Sequence, residues 1–122
     1  MPAKSPRRLF KTTKFSKEAK KARISDSELC AAIRQVMAGQ LGGGVFKKRL
    51  NDNMHRSIVL AKGGRYWVYE YLFAKKDRDN IDDDELMGFR LLAKSYAGLT
   101  ELQVAQLVSG KHFVEICHDD EA

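Results

Sequence analysis

Lys47, Lys48, Arg49, His55, Arg56, Arg65, Lys75, Lys76 and Arg78 crowd the middle of the chain, interleaved with Val, Ile, Tyr, Phe and Trp. Ammonium and guanidinium groups brought together on one surface create a concentrated positive field, and the chemistry that such a field serves is the binding of phosphate. Two readings of the set stay open on spacing alone. Alternate members converge on one face of a sheet and bind a polyanion, or they flank strands as solvated charges that protect edges.

Other chemistries have less behind them. Gly42-Gly43-Gly44 is not followed by Gly-Lys-Ser or Gly-Lys-Thr and precedes an apolar β-type run, so it is no phosphate-binding P-loop. His55, His112 and His118 share no ligand spacing with one another or with carboxylates. The run Asp82-Asp83-Asp84-Glu85 stands where a helix should begin, and is better read as a cap and a dipole-matched first turn than as a metal cluster. No cofactor is called for.

The elements that must position the basic set can be read from periodicity. Arg8 to Lys14 reads as a first strand, followed by a helix capped by Ser16 and running to about Arg23. Ser25-Asp26-Ser27-Glu28 is a capping box for a second helix, with Leu29, Ala32, Ile33, Val36 and Met37 on one face and Gly39 and the triple glycine as its stop. Val45 to Asn51, Met54 to Lys62 and Arg65 to Lys75 read as an antiparallel meander, turned at Asn51-Asp52-Asn53 and at Gly63-Gly64. In the third of these strands, strict alternation puts Trp67, Tyr69, Tyr71 and Phe73 on a buried face and Glu70 on the opposite, exposed one. Asp82 starts a helix with Leu86, Phe89, Ala93 and Tyr96. Thr100 to Gln103 caps a shorter one, and Phe113 to Ile116 is a last short strand.

At 122 residues and 43% hydrophobic composition the chain is expected to form a single domain over residues 1–122, which disfavours an enzyme with a separate cofactor domain. The formal charge of +6 is unevenly spread: residues 1–23 carry +8, 24–43 carry −1, 44–78 carry +6 and 79–122 carry −7. Cys30 and Cys117 have neither CxxC nor Cys/His spacing, so no disulfide framework or zinc site is expected and a reducing cytoplasm is the simpler setting. No run of 18 apolar residues argues for a membrane, and the first fifteen residues lack the apolar core of a signal peptide.

Several segments together carry a resemblance: Phe46-Lys47-Lys48-Arg49-Leu50, His55-Arg56-Ser57-Ile58-Val59-Leu60, and Tyr66 to Lys76 (YWVYEYLFAKK) followed by an acid-started helix. From about Phe10 to Ile116 the chain resembles the RelE/ParE superfamily of bacterial type II toxins. It is closest to RelE-like members sharing KKRLN, HRSI and YLFAKK segments, and is similar also to HigB and phage-derived relatives.

The resemblance implies an α+β, RelE-like small domain with an N-terminal strand and helix pair, a three-stranded antiparallel meander and C-terminal helices. It implies a cytoplasmic toxin that cuts messenger RNA without a metal, commonly on the 70S ribosome, and that a cognate antitoxin protein restrains. In that mechanism the RNA 2′-OH attacks the adjacent phosphate. Carried over by position, the catalytic set is Arg56, Lys75, Lys76, Lys48 and Glu70, and Lys47, Arg49, His55, Arg65 and Arg78 bind RNA. Arg49 and Arg56 would clamp phosphate, Lys48 with Lys75 or Lys76 would supply charge or a proton, and Glu70 or His55 would be the base. Some members place a catalytic Tyr or His after the last strand, where this chain has Lys75-Lys76-Asp77-Arg78. The ParE branch shares the fold yet inhibits DNA gyrase and cuts nothing, which leaves a non-catalytic inhibitor or partner-binding member as the alternative.

Overall fold

A computed structural model describes residues 8–33, 40–62 and 66–117. In chain order it contains β1 (Arg8–Thr12), α1 (Thr13–Lys21), α2 (Asp26–Ile33), β2 (Gln40–Gly42), β3 (Val45–Leu50), β4 (His55–Lys62), β5 (Tyr66–Ala74), α3 (Asp83–Ala97), α4 (Glu101–Ser109) and β6 (Phe113–Ile116). The architecture is α+β. Helix starts follow local chemistry: Asp82 with Glu85, and Thr100 with Gln103, form reciprocal capping boxes. Thr12, not Ser16, caps α1, its side chain accepting from the Phe15 amide. Ser25 Oγ accepts from the Glu28 amide as a cap should. The Glu28 carboxylate, however, does not close the box but accepts from the backbone amide of Asn51.

The strands make one mixed sheet in the order β2-β3-β4-β5-β1-β6. The expected meander β3-β4-β5 is its antiparallel half. β1 lies parallel to β5, from Arg8 opposite Tyr66 to Lys11 opposite Tyr69, and β6 adds antiparallel to the far side of β1. Helices cover both faces. Phe15 and Ala19 of α1 and Leu29 of α2 pack on Leu9, Phe46, Val59, Trp67 and Tyr69. On the reverse face Val104 of α4 meets Phe10, Tyr66, Val68 and Phe113, and Ala93 of α3 meets Val45, Ile58, Leu60 and Phe73.

Strict alternation fails at one residue of β5. Val59 pairs with Tyr69 and Ile58 with Tyr71, so Glu70 is the extra residue of a β-bulge. Beyond it the faces exchange. Leu72 joins Trp67 and Tyr69 under α1 and α2, while Tyr71 and Phe73 turn toward α3. The aromatic residues therefore divide between two buried faces instead of sharing one.

Gly42, Gly43 and Gly44 do not stop a helix. With φ of 86°, 66° and 82° they turn β2 into β3, and a Cβ at Gly43 would meet Arg90 Cγ at 2.8 Å. Arg90 Nη2 donates to the Leu41 carbonyl at 2.7 Å, joining this hairpin to α3. The Val36 and Met37 end of the expected second helix and the Gly63-Gly64 turn lie outside the described residues.

Cys30 of α2 and Cys117, just beyond β6, form a disulfide with Cα atoms 5.7 Å apart. The expectation of no disulfide framework is thus corrected, and with it the argument from the cysteines for a reducing setting: spacing along the chain carries no sign of a contact that sheet order creates across 87 residues. In the chain-entropy view, closing a loop of that length removes about 4.5 kcal/mol of unfolded-state freedom. Denaturant unfolding with and without reductant should differ by that order, and the Cys117→Ser variant should unfold like the reduced protein.

Candidate active site

β5 runs on to Ala74, past its last β1 partner at Tyr69, because after Thr12 the chain leaves the sheet as α1. A groove opens between α1 and the unaccompanied end of β5 and continues past the 51–54 turn. It comprises two adjoining cavities of about 520 and 710 Å³ that share Lys21, His55 and Lys76. Lys14 and Glu70 line the first cavity, and Asp52 and Lys75 the second. Lys14 and Lys21, seven residues apart on α1, both reach the groove. The groove is not a uniform basic patch, since Glu18, Asp77 and Asp79 also stand in its walls.

Glu70 owes its place to the bulge. Its Oε1 accepts from the Tyr96 hydroxyl of α3 at 2.8 Å. Burial holds the Glu70 carboxyl above the ordinary carboxylate range, and the Tyr96 hydrogen bond and the Lys14 ammonium pull it only part of the way back. Burial and the neighbouring carboxylate push the Tyr96 phenol up strongly, so it stays a donor. A carboxyl raised in this way, opening on a groove with cations, is suited to accept a proton.

His55 is half-buried at the start of β4. Its Nδ1 lies 3.2 Å from Asn51 Nδ2 across the turn. Asn51, Asp52 and Asn53 all have positive φ, at 57°, 53° and 71°, a conformation to which Asn and Asp are best suited among residues with a Cβ. Arg56 fastens this turn: it is 7% exposed, and its Nη1 donates to the Asn53 carbonyl at 2.9 Å and to the His55 carbonyl at 3.3 Å.

Of the residues expected to act together, the groove collects His55, Glu70, Lys75, Lys76 and Arg78. Arg78 is engaged with Glu85 through both terminal nitrogens, with the Asn80 carbonyl and with the Tyr71 hydroxyl, and sits over the Phe73 ring. Lys47, Lys48, Arg49 and Arg56 do not line it. Register divides them between the sheet faces: Lys47 pairs with Ile58 and Arg49 with Arg56 on the α3 side, whereas Lys48 pairs with Ser57 on the other. Arg65 lies outside the described residues.

The family model described as the RelE toxin of the RelE/RelB toxin-antitoxin system matches residues 7–116. The chain belongs to the RelE toxin family. No curated protein and no solved structure matches it. Toxins of this family generally pair with an antitoxin. The match begins ahead of β1 and ends with β6, so it spans all six described strands of the sheet.

Sequence reasoning left Lys14, Lys21, Asn51 and Tyr96 out of the site. The two lysines lie inside the +8 segment, but reading Lys14 as the end of the first strand and beginning the helix at Ser16 hid their common helical face. Tyr96 had no signal, because its partner Glu70 is 26 residues away and turned toward it by a bulge.

Two stability measurements check this geometry in the RelE-family toxin. The folded protein binds the Glu70 proton more tightly than the unfolded chain does. Wild type should therefore lose stability relative to Glu70→Gln as pH rises from 4.5, the ordinary value, through the raised folded value. Chemical unfolding across that range reads the difference; a flat difference would contradict the burial. Arg56→Ala should cost about 2–3 kcal/mol by releasing the Asn53 and His55 carbonyls from a charged donor. Lys76→Ala, at an exposed position, should stay within about 0.5 kcal/mol.

Proposed function

We propose that this RelE-family toxin is an endoribonuclease that cuts messenger RNA, on the ribosome, by attack of the 2′-OH on the adjacent phosphate. The observation that carries the reading is that Glu70, His55, Lys14 and Lys76 line one cavity, which pairs a carboxyl of raised proton affinity with ammonium groups. The Glu70 carboxylate takes the 2′-OH proton as the 2′-oxygen bonds to phosphorus. The bond from phosphorus to the 5′-oxygen breaks, and the Lys76 ammonium gives that oxygen its proton. The products are a 2′,3′-cyclic phosphate and a 5′-OH end. Lys14, Lys21 and Lys75 meet the extra negative charge of the transition state, a task that ammonium groups perform without a metal ion.

The acids among those lysines act against indiscriminate polyanion binding and leave room for phosphates one at a time. Lys47 and Arg49 would contact RNA or ribosome outside the groove, Arg65 would bind RNA, and Lys48 would add charge from the α1 face of the sheet. A cognate antitoxin with an acidic amphipathic segment complements the lysines of the groove. Messages and ribosomes place the reaction in the cytoplasm.

Mapping RNA ends after expression tests the reading. Wild type should yield new 5′-OH ends within messages, both on expression and when the reaction is repeated on purified ribosomes. Glu70→Gln and Lys76→Ala should each lower the cleavage rate by about 100-fold or more. Intact messages together with a DNA-damage response would overturn the reading in favour of gyrase inhibition.

A further inference from the structure

Asn51 stands outside every role given above, yet it touches the groove histidine. Its Nδ2 lies 3.5 Å from the Ala22 carbonyl and 3.2 Å from His55 Nδ1. A carbonyl oxygen only accepts, so the Asn51 atom facing Ala22 is the amide nitrogen, and the second proton of that nitrogen is directed at the histidine ring. Nδ1 must then offer its lone pair. In the neutral ring this leaves the proton on Nε2, and Nδ1 cannot carry one while the contact lasts.

The amide is itself held from behind. The Asn51 backbone N–H donates to the Glu28 carboxylate of α2, the Met54 amide donates to the Asn51 carbonyl at 3.0 Å, and the positive φ of Asn51 suits Asn. A second element thus fixes the side chain that faces His55.

We propose that Asn51 is a positioning residue that holds His55 as the Nε2–H tautomer, so that the ring presents a donor to the RNA phosphate in the groove. This rests on the ribonuclease reading for its substrate, but not for its geometry. A ring protonated at Nε2 cannot take the 2′-OH proton at that nitrogen, which leaves the base role to Glu70. His55 contributes a hydrogen bond to a phosphate oxygen and transfers no proton, so the bonds and charges of the cleavage step are unchanged.

Long-range proton–nitrogen NMR of the intact protein at a pH where the ring is neutral reads the tautomer without any cleavage assay. Wild-type His55 should show a bare Nδ1 and a protonated Nε2. Asn51→Ala should show a mixture, and Asn51→Asp, which keeps a residue suited to the turn, should move the proton to Nδ1. A wild-type ring protonated at Nδ1, or an unchanged tautomer in a folded Asn51→Asp protein, would overturn the proposal. In RNA cleavage, Asn51→Asp should lose about tenfold or more in rate, and His55→Gln, which still offers an N–H, should retain more activity than His55→Leu. If the tautomers behave as stated and wild type cuts no RNA, the ribonuclease reading fails while the positioning role stands.

Discussion

Glu70 is opposed by no residue of β4, and that surplus residue turns over the whole second half of β5. Before it, Trp67 and Tyr69 lie under α1 and α2; after it, Tyr71 and Phe73 lie under α3. A strand that kept its alternation would put Tyr71 and Phe73 on the same face as Trp67 and Tyr69 and take both rings from the layer under α3. The bulge supplies apolar groups to both layers and, at the point of exchange, turns a carboxyl toward Tyr96 beside the groove. Bulges re-aim side chains in this way at small cost, because a single unpaired residue carries the irregularity.

The groove follows from where β1 stops. The strand accompanies β5 only to Tyr69, and α1 then departs with Lys14 and Lys21 facing back toward the strand it has left. Two arginines nearby serve the frame. Arg56 holds the carbonyls of Asn53 and His55, and Arg78 binds Glu85, Asn80 and Tyr71 at the entrance to α3. Their work is to keep His55 and the β5 exit in place, while the lysines of the groove stay exposed.

Much of this could be read from residues one after another. The caps at Asp82 and Thr100, the meander and the last strand follow from local patterns, since a helix start or a hairpin is settled within a few residues. What stayed hidden depends on partners far off in the chain. Glu28 looked like half of a capping box, yet its carboxylate serves Asn51. The triple glycine looked like a helix stop because β2, only three residues long, carries too little pattern to announce a hairpin. The basic set looked like one surface, but pairing register sends its members to different faces. Cys30 and Cys117 meet only because the closing strand returns beside the opening one.

The central place of β1 also sets an order of events in time. Its partners come 58 residues later, where Arg8 meets Tyr66, and 101 to 107 residues later, from Thr12 opposite Phe113 to Leu9 opposite Ile116. A chain made from its N-terminus must hold this strand without either partner through most of its synthesis, and such long-range pairing is slow to form. The wall between α1 and β5 exists only once β5 has been delivered, and β6 seals the far side of β1 later still. The groove therefore cannot form until β5 is complete, so an unfinished copy emerging from the ribosome that makes it carries Lys14 and Lys21 but neither the groove nor Lys75 and Lys76.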